Sequence, residues 1–128
     1  MMQRNHRNKA AIKQWLKTLE WSNTATIRNS HIMNHIQMNR YVSILMKEHK
    51  RIERVFWCLE KDKSQLESHA HLLIKTKGKI DSIPRKNLQT GYRKPFEVQY
   101  WANIDSKNGI IDYIAEHLGI ADQWDIII

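Results

Sequence analysis

Two short runs decide the fold: Val55-Phe56-Trp57-Cys58-Leu59, and Ser68-His69-Ala70-His71-Leu72-Leu73-Ile74, separated by a polar connection through Lys61 to Glu67. The first is continuous and apolar, as a central strand covered on both faces requires. The second follows closely enough to fold back beside it, so the pair reads as an antiparallel hairpin. A strand buried on both sides needs helices above and below it, and the flanking sequence offers them.

Upstream, Ile12, Trp15, Leu16 and Leu19 recur at helical spacing in a stretch without Gly or Pro, which predicts an amphipathic helix over residues 8–20. Lys9, Lys13 and Lys17 lie four apart on its other face, a ridge that fits either a phosphate backbone or plain solvent. Thr24-Ala25-Thr26-Ile27-Arg28 is β-prone and bounded by asparagines, a short first strand. From 34 to 50, Met38, Tyr41, Val42 and Leu45 make an apolar stripe for a second helix packed on the sheet.

Downstream, residues 76–95 hold both prolines, two of the four glycines and many charges, and read as a long connection with a short helix after Pro84. Residues 96–104 alternate as a further strand. Ser106 is a good cap for a helix over 107–118, stopped by Gly119. Trp57 and Trp101 are expected in the core, and Trp124 is expected to close the fold with Ile126, Ile127 and Ile128. The order helix, strand, helix, strand, strand, connection, strand, helix predicts an α+β fold: a central antiparallel sheet flanked by helices, in a single domain over 1–128.

At 128 residues and 41% hydrophobic, the chain can bury one core but hardly two. Its formal charge of +8 favours a polyanionic partner, nucleic acid first and an acidic membrane surface second. It has no apolar run long enough to cross a bilayer, and Met1-Met2-Gln3-Arg4 is not followed by a signal-like apolar stretch. A cytoplasmic, intracellular protein is therefore expected. The single cysteine, Cys58, excludes an internal disulfide and a multi-cysteine zinc cluster.

Because alternate side chains of a strand share a face, His69 and His71 project together, about 7 Å apart. Glu60, at the end of the preceding strand, shares that face whether the hairpin pairs it with His69 or with His71. Two imidazoles and a carboxylate suit a divalent ion and leave positions for substrate oxygens. On the last helix Ile110, Ile111, Ile114 and Leu118 would face the sheet, placing Tyr113 at the edge of the buried stripe with Glu116 and His117 one turn on.

These segments resemble the HUH endonucleases, the Rep-type replication initiators of plasmids and viruses, with relaxases and single-strand transposases as more distant relatives. Phe56-Trp57-Cys58-Leu59-Glu60-Lys61 is similar to the family's strand ending in a carboxylate, His69-Ala70-His71 to its His-hydrophobe-His strand, and Ile111-Asp112-Tyr113-Ile114-Ala115 to its tyrosine helix. The resemblance spans residues 51–119. It implies a ferredoxin-like or RRM-like sheet, a Mg or Mn ion held by Glu60, His69 and His71, and Tyr113 as nucleophile. The implied reaction nicks single-stranded DNA through a 5′-phosphotyrosine and rejoins strands in reverse, as at a hairpin origin of rolling-circle replication. The family usually carries lysine three residues after the tyrosine; this chain has Glu116. An attacking tyrosine needs positive charge nearby to favour its phenolate, and His117 is the residue placed to supply it.

Lys75, Lys77, Lys79, Arg85, Lys86, Arg93 and Lys94, with Tyr92 among them, make a basic stretch that suits a single-strand path or an ordinary solvated loop. Lys77-Gly78-Lys79 lacks the flanking residues of a phosphate-binding loop, so strand separation would fall to a separate helicase or other replication protein. A single-strand transposase is the rival within the same chemistry, favoured by a dimer donating its tyrosine in trans. A non-catalytic single-strand DNA or RNA binder is the rival outside it. His31 and His35 are four apart with no accompanying carboxylate and read as solvated or capping residues rather than metal ligands.

Overall fold

The computed structural model describes residues 2–29, 34–61, 68–77, 97–104, 107–121 and 124–128. Its elements run α1 (Met2–Thr18), β1 (Asn23–Asn29), α2 (His35–Glu48), β2 (Ile52–Lys61), β3 (Ser68–Thr76), β4 (Glu97–Asn103), α3 (Lys107–Ala121) and β5 (Trp124–Ile127). The five strands form one sheet in the order β4-β1-β3-β2-β5, with every pairing antiparallel. This is the α+β architecture that the alternating pattern of helices and strands predicts. The histidine strand β3 is central.

Both faces of the sheet are covered, which explains the uninterrupted apolar run in β2. On one face Ala25, Ile27, Leu72, Ile74, Val55 and Trp57 pack beneath Met38, Tyr41, Val42 and Leu45 of α2. On the other, Phe56, Cys58 and Leu73 meet Ile12 and Leu16 of α1 and Ile111, Ile114 and Ala115 of α3. Fully burying a side chain of this size contributes roughly 1.5–3 kcal/mol, so these two apolar layers dominate the folding energy. α2 starts where its sequence dictates: Asn34 Oδ1 accepts from Gln37 N at 2.8 Å and Gln37 Oε1 accepts from Asn34 N at 3.2 Å, a reciprocal capping box.

Three elements differ from the sequence reading. α1 starts earlier, at Met2, because helical spacing marks where the apolar stripe starts and says nothing of the polar turns before it. α3 continues through Gly119 to Ala121. A glycine inside a helix costs only about 1 kcal/mol against alanine, too little by itself to end one whose apolar face is already buried. The last residues form a strand, β5, which pairs Cys58 with Trp124 and Val55 with Ile127 along the outer edge of β2. Four residues are too few for a period-2 signal, and the edge of β2 gives them their strand partner. The short helix expected after Pro84, and most of the 76–95 connection, lie outside the described residues, as does the side chain of Trp101.

Candidate active site and nucleic-acid interface

The β2–β3 register sets Glu60 opposite His69 and Cys58 opposite His71. On the other side of β3, β1 sets Arg28 opposite His69 and Thr26 opposite His71. Directly paired residues share a face, so both histidines stand on the face covered by α1 and α3. The cover still reaches the row of His71, since Cys58 opposite it is buried in the core under these helices and His71 is itself buried, whereas His69, in the next row, is half-buried.

At that boundary α3 brings its tyrosine to the histidines. Ile111, Ile114 and Ala115 are buried on the sheet, which fixes the helix and leaves Tyr113 51% exposed at its edge. The Tyr113 ring meets His71 edge-on, centroids 5.6 Å apart and planes at 87°. His71 itself is only 6% exposed, with Nδ1 3.4 Å from Thr26 Oγ1, while His69 is half-buried. A ring held by an aromatic edge and a hydroxyl is oriented before any ligand arrives. Tyr41, by contrast, lies in the opposite core, where burial pushes its hydroxyl well above the usual tyrosine range. It is out of reach of substrate.

Asp112, the residue before Tyr113, ties the tyrosine helix to α1. Lys17 Nζ and Lys13 Nζ both approach its Oδ1, at 2.9 and 3.0 Å. Hydrogen bonds from Lys17 and Lys13 hold the Asp112 carboxyl below the usual aspartate range. Two lysines of the α1 ridge are thus engaged with α3 in a helix–helix clamp. No spacing rule connects Lys13 with Asp112, and their pairing is a product of the fold.

Of the sequence-predicted site residues, the structure brings together His69, His71, Tyr113 and the backbone of Glu60. The side chains of Glu60 and His117 lie outside the described residues; His117 is in α3, one turn beyond Tyr113. Among the described residues no group of three His, Cys, Asp or Glu side chains is gathered as a metal site. The donor set nonetheless fits a divalent ion, since two imidazoles stand on one strand face and a carboxylate-bearing position is directly opposite one of them. Lys75 lies near the other end of β3 and Lys77 just beyond it, six and eight residues from His69. Lys75 Nζ is 3.7 Å from Glu20 Oε2, and the backbone N–H of Lys77 donates to Arg51 O. Lys79, Arg85, Lys86, Tyr92, Arg93 and Lys94 lie outside the described residues.

Two features escaped the sequence reading. Tyr100 on β4 is 54% exposed and pairs with Thr26 across β1. His35 has a carboxylate partner after all: its Nε2 is 2.8 Å from Asp125 Oδ2, which also accepts from Asn39 Nδ2 at 2.9 Å. Asn39 Oδ1 in turn accepts from Trp57 Nε1 at 2.9 Å, and the His35 ring packs edge-on to Trp57 at 5.0 Å. This network fastens α2 to β5 and belongs to the architecture of the far face. No helix among the described residues is long and apolar enough to cross a membrane. Comparison with protein-family models, curated proteins and solved structures found no match.

Proposed function

We propose that this protein is a metal-dependent single-stranded DNA nickase and strand transferase of the Rep-like HUH type, with Tyr113 as its nucleophile. The observation that carries the reading is the edge-on contact of the half-exposed Tyr113 with His71. A helical tyrosine beside an apolar stripe is usually packing; half exposure against a strand histidine whose neighbour two residues away is a second histidine supports a chemical role instead.

Glu60, His69 and His71 would hold the ion. A divalent cation there would supply positive charge that makes the phosphorus more electrophilic. Tyr113 Oη attacks that phosphorus and loses its proton to solvent or to His117. The Oη–P bond forms as the P–O3′ bond breaks, and the departing oxygen takes up a proton to become a 3′-hydroxyl. Bond count is conserved, so a 3′-hydroxyl attacking the phosphotyrosine reverses the step and joins strands. The excess of eight positive charges favours the polyanion by counterion release. Initiation of plasmid or viral replication, with a helicase supplied by another protein, is the biological setting this chemistry serves.

The test is incubation with labelled single strands of random sequence and Mn, followed by denaturing electrophoresis. A covalent protein–DNA adduct that needs the metal and vanishes in Tyr113→Phe supports the reading. Binding without any adduct would replace it with the non-catalytic binder.

A further inference from the structure

Tyr100 takes no part in the chemistry above, yet more than half of it is open to solvent, whereas the other large apolar side chains described on the sheet are buried or half-buried. It is set opposite Thr26, and Thr26 is set opposite His71. The three residues therefore form one row across β3, β1 and β4 on a single face. At about 4.8 Å per strand, Tyr100 stands roughly 10 Å from His71, at the edge of the sheet.

Local structure keeps it there. Between Thr26 and Ile27 the β1–β4 register shifts, so that Thr26 pairs with Tyr100 while Ile27 pairs with Val98. Gln99 is the extra residue of a bulge, a device that re-aims the residues on either side of it. Val98 is thereby set opposite a core position and Tyr100 opposite a site position. Among the described residues, no side chain hydrogen-bonds to Tyr100 or stacks on its ring. The next row on the same face continues the polar surface with His69 and Arg28.

We propose that Tyr100 is a base-stacking platform. Its ring takes the face of a base flanking the reacting phosphate, in a single DNA strand that crosses from Tyr113 over β3 and β1 to the β4 edge. This rests on the reading of the site as one that acts on single-stranded DNA. An exposed ring is the group that serves a substrate of varied sequence, because every base has a π-face, while the backbone is drawn by positive charge.

The test measures anisotropy of labelled DNA with the full chain carrying Tyr113→Phe, so that no adduct forms, and compares Tyr100, Tyr100→Ala and Tyr100→Trp. Thermal unfolding checks that each variant folds. On random-sequence strands Tyr100→Ala should bind about 5- to 100-fold more weakly and Tyr100→Trp at least as well as tyrosine. On an abasic strand of the same length the tyrosine and alanine proteins should bind alike, since no base remains to stack. Equal affinity of tyrosine and alanine proteins on base-bearing strands would overturn the platform and leave the nickase reading standing. An alanine defect that persists undiminished on the abasic strand would also overturn it. No binding of single strands by any of the proteins would overturn both.

Discussion

The imidazole of His71 and the phenol of Tyr113 meet edge to face, 5.6 Å between centroids, although one belongs to the central strand and the other to a helix packed above it. The contact is set by one shared core. Leu73 and Cys58 of β3 and β2 are buried in the same apolar cluster as Ile111, Ile114 and Ala115 of α3. That cluster fixes helix and strand against each other, and about half of Tyr113 is left to solvent.

The histidines should differ when removed. His71 is buried and His69 half-buried, so His71→Ala should lower both metal affinity and stability, whereas His69→Ala should lower metal affinity with little change in stability. Mn titration calorimetry and urea denaturation of the two variants separate these effects.

Acid should loosen the helices. The Asp112 carboxyl is held down by Lys17 and Lys13; for Asp125, burial acts to raise it, and hydrogen bonds from Asn39, His35 and the Ile126 N–H outweigh that. Both carboxyls thus bind protons more weakly when folded than when unfolded. The stability they contribute is complete above the ordinary aspartate value of about 3.9 and is lost as pH falls through their lower folded values. The Tm of Asp112→Asn should accordingly fall less between about pH 5 and pH 2 than that of the unaltered protein.

Lys13→Ala and Lys17→Ala should disturb the clamp to α3 more than they disturb DNA binding. Because both ammonium groups already face Asp112, the slope of log affinity against log salt should change by less than the ~0.7 expected for a lysine on a single-strand phosphate. A full-sized change for either variant would mean that the lysine leaves Asp112 for DNA.

Asn39→Ala should cost about 1–3 kcal/mol in urea denaturation, because it leaves the Trp57 indole N–H without its acceptor and takes a donor from Asp125. Asn34→Ala, which removes only the cap of α2, should cost about 1 kcal/mol. The first substitution should also loosen β5, seen as faster amide exchange at Ile126 and Ile127.

Much of the fold, and the shared face of the two histidines of the candidate site, are legible in the residues because they depend on short-range pattern. Strand alternation places His69 and His71 on one face whatever lies around them. Continuous apolar character marks β2 as buried on both sides, and Asn34 with Gln37 marks a helix start. Lone signals fared less well: Gly119 does not stop α3, and His35, without a carboxylate nearby in sequence, acquires Asp125 from the far end of the chain.

The amino-acid sequence by itself determined the α+β class, the hairpin that carries the histidines, and the helical setting of Tyr113, since each follows from the periodicity of a strand or a helix. Tertiary structure alone decided that β1 separates β3 from β4, that β5 closes the edge of β2, that Lys13 and Lys17 grip Asp112, and that Tyr113 meets His71 on the face that also carries Tyr100. The physical reason is that such pairings join residues remote in the chain. They are selected by burying both faces of the sheet at once, a condition that no local window of sequence contains.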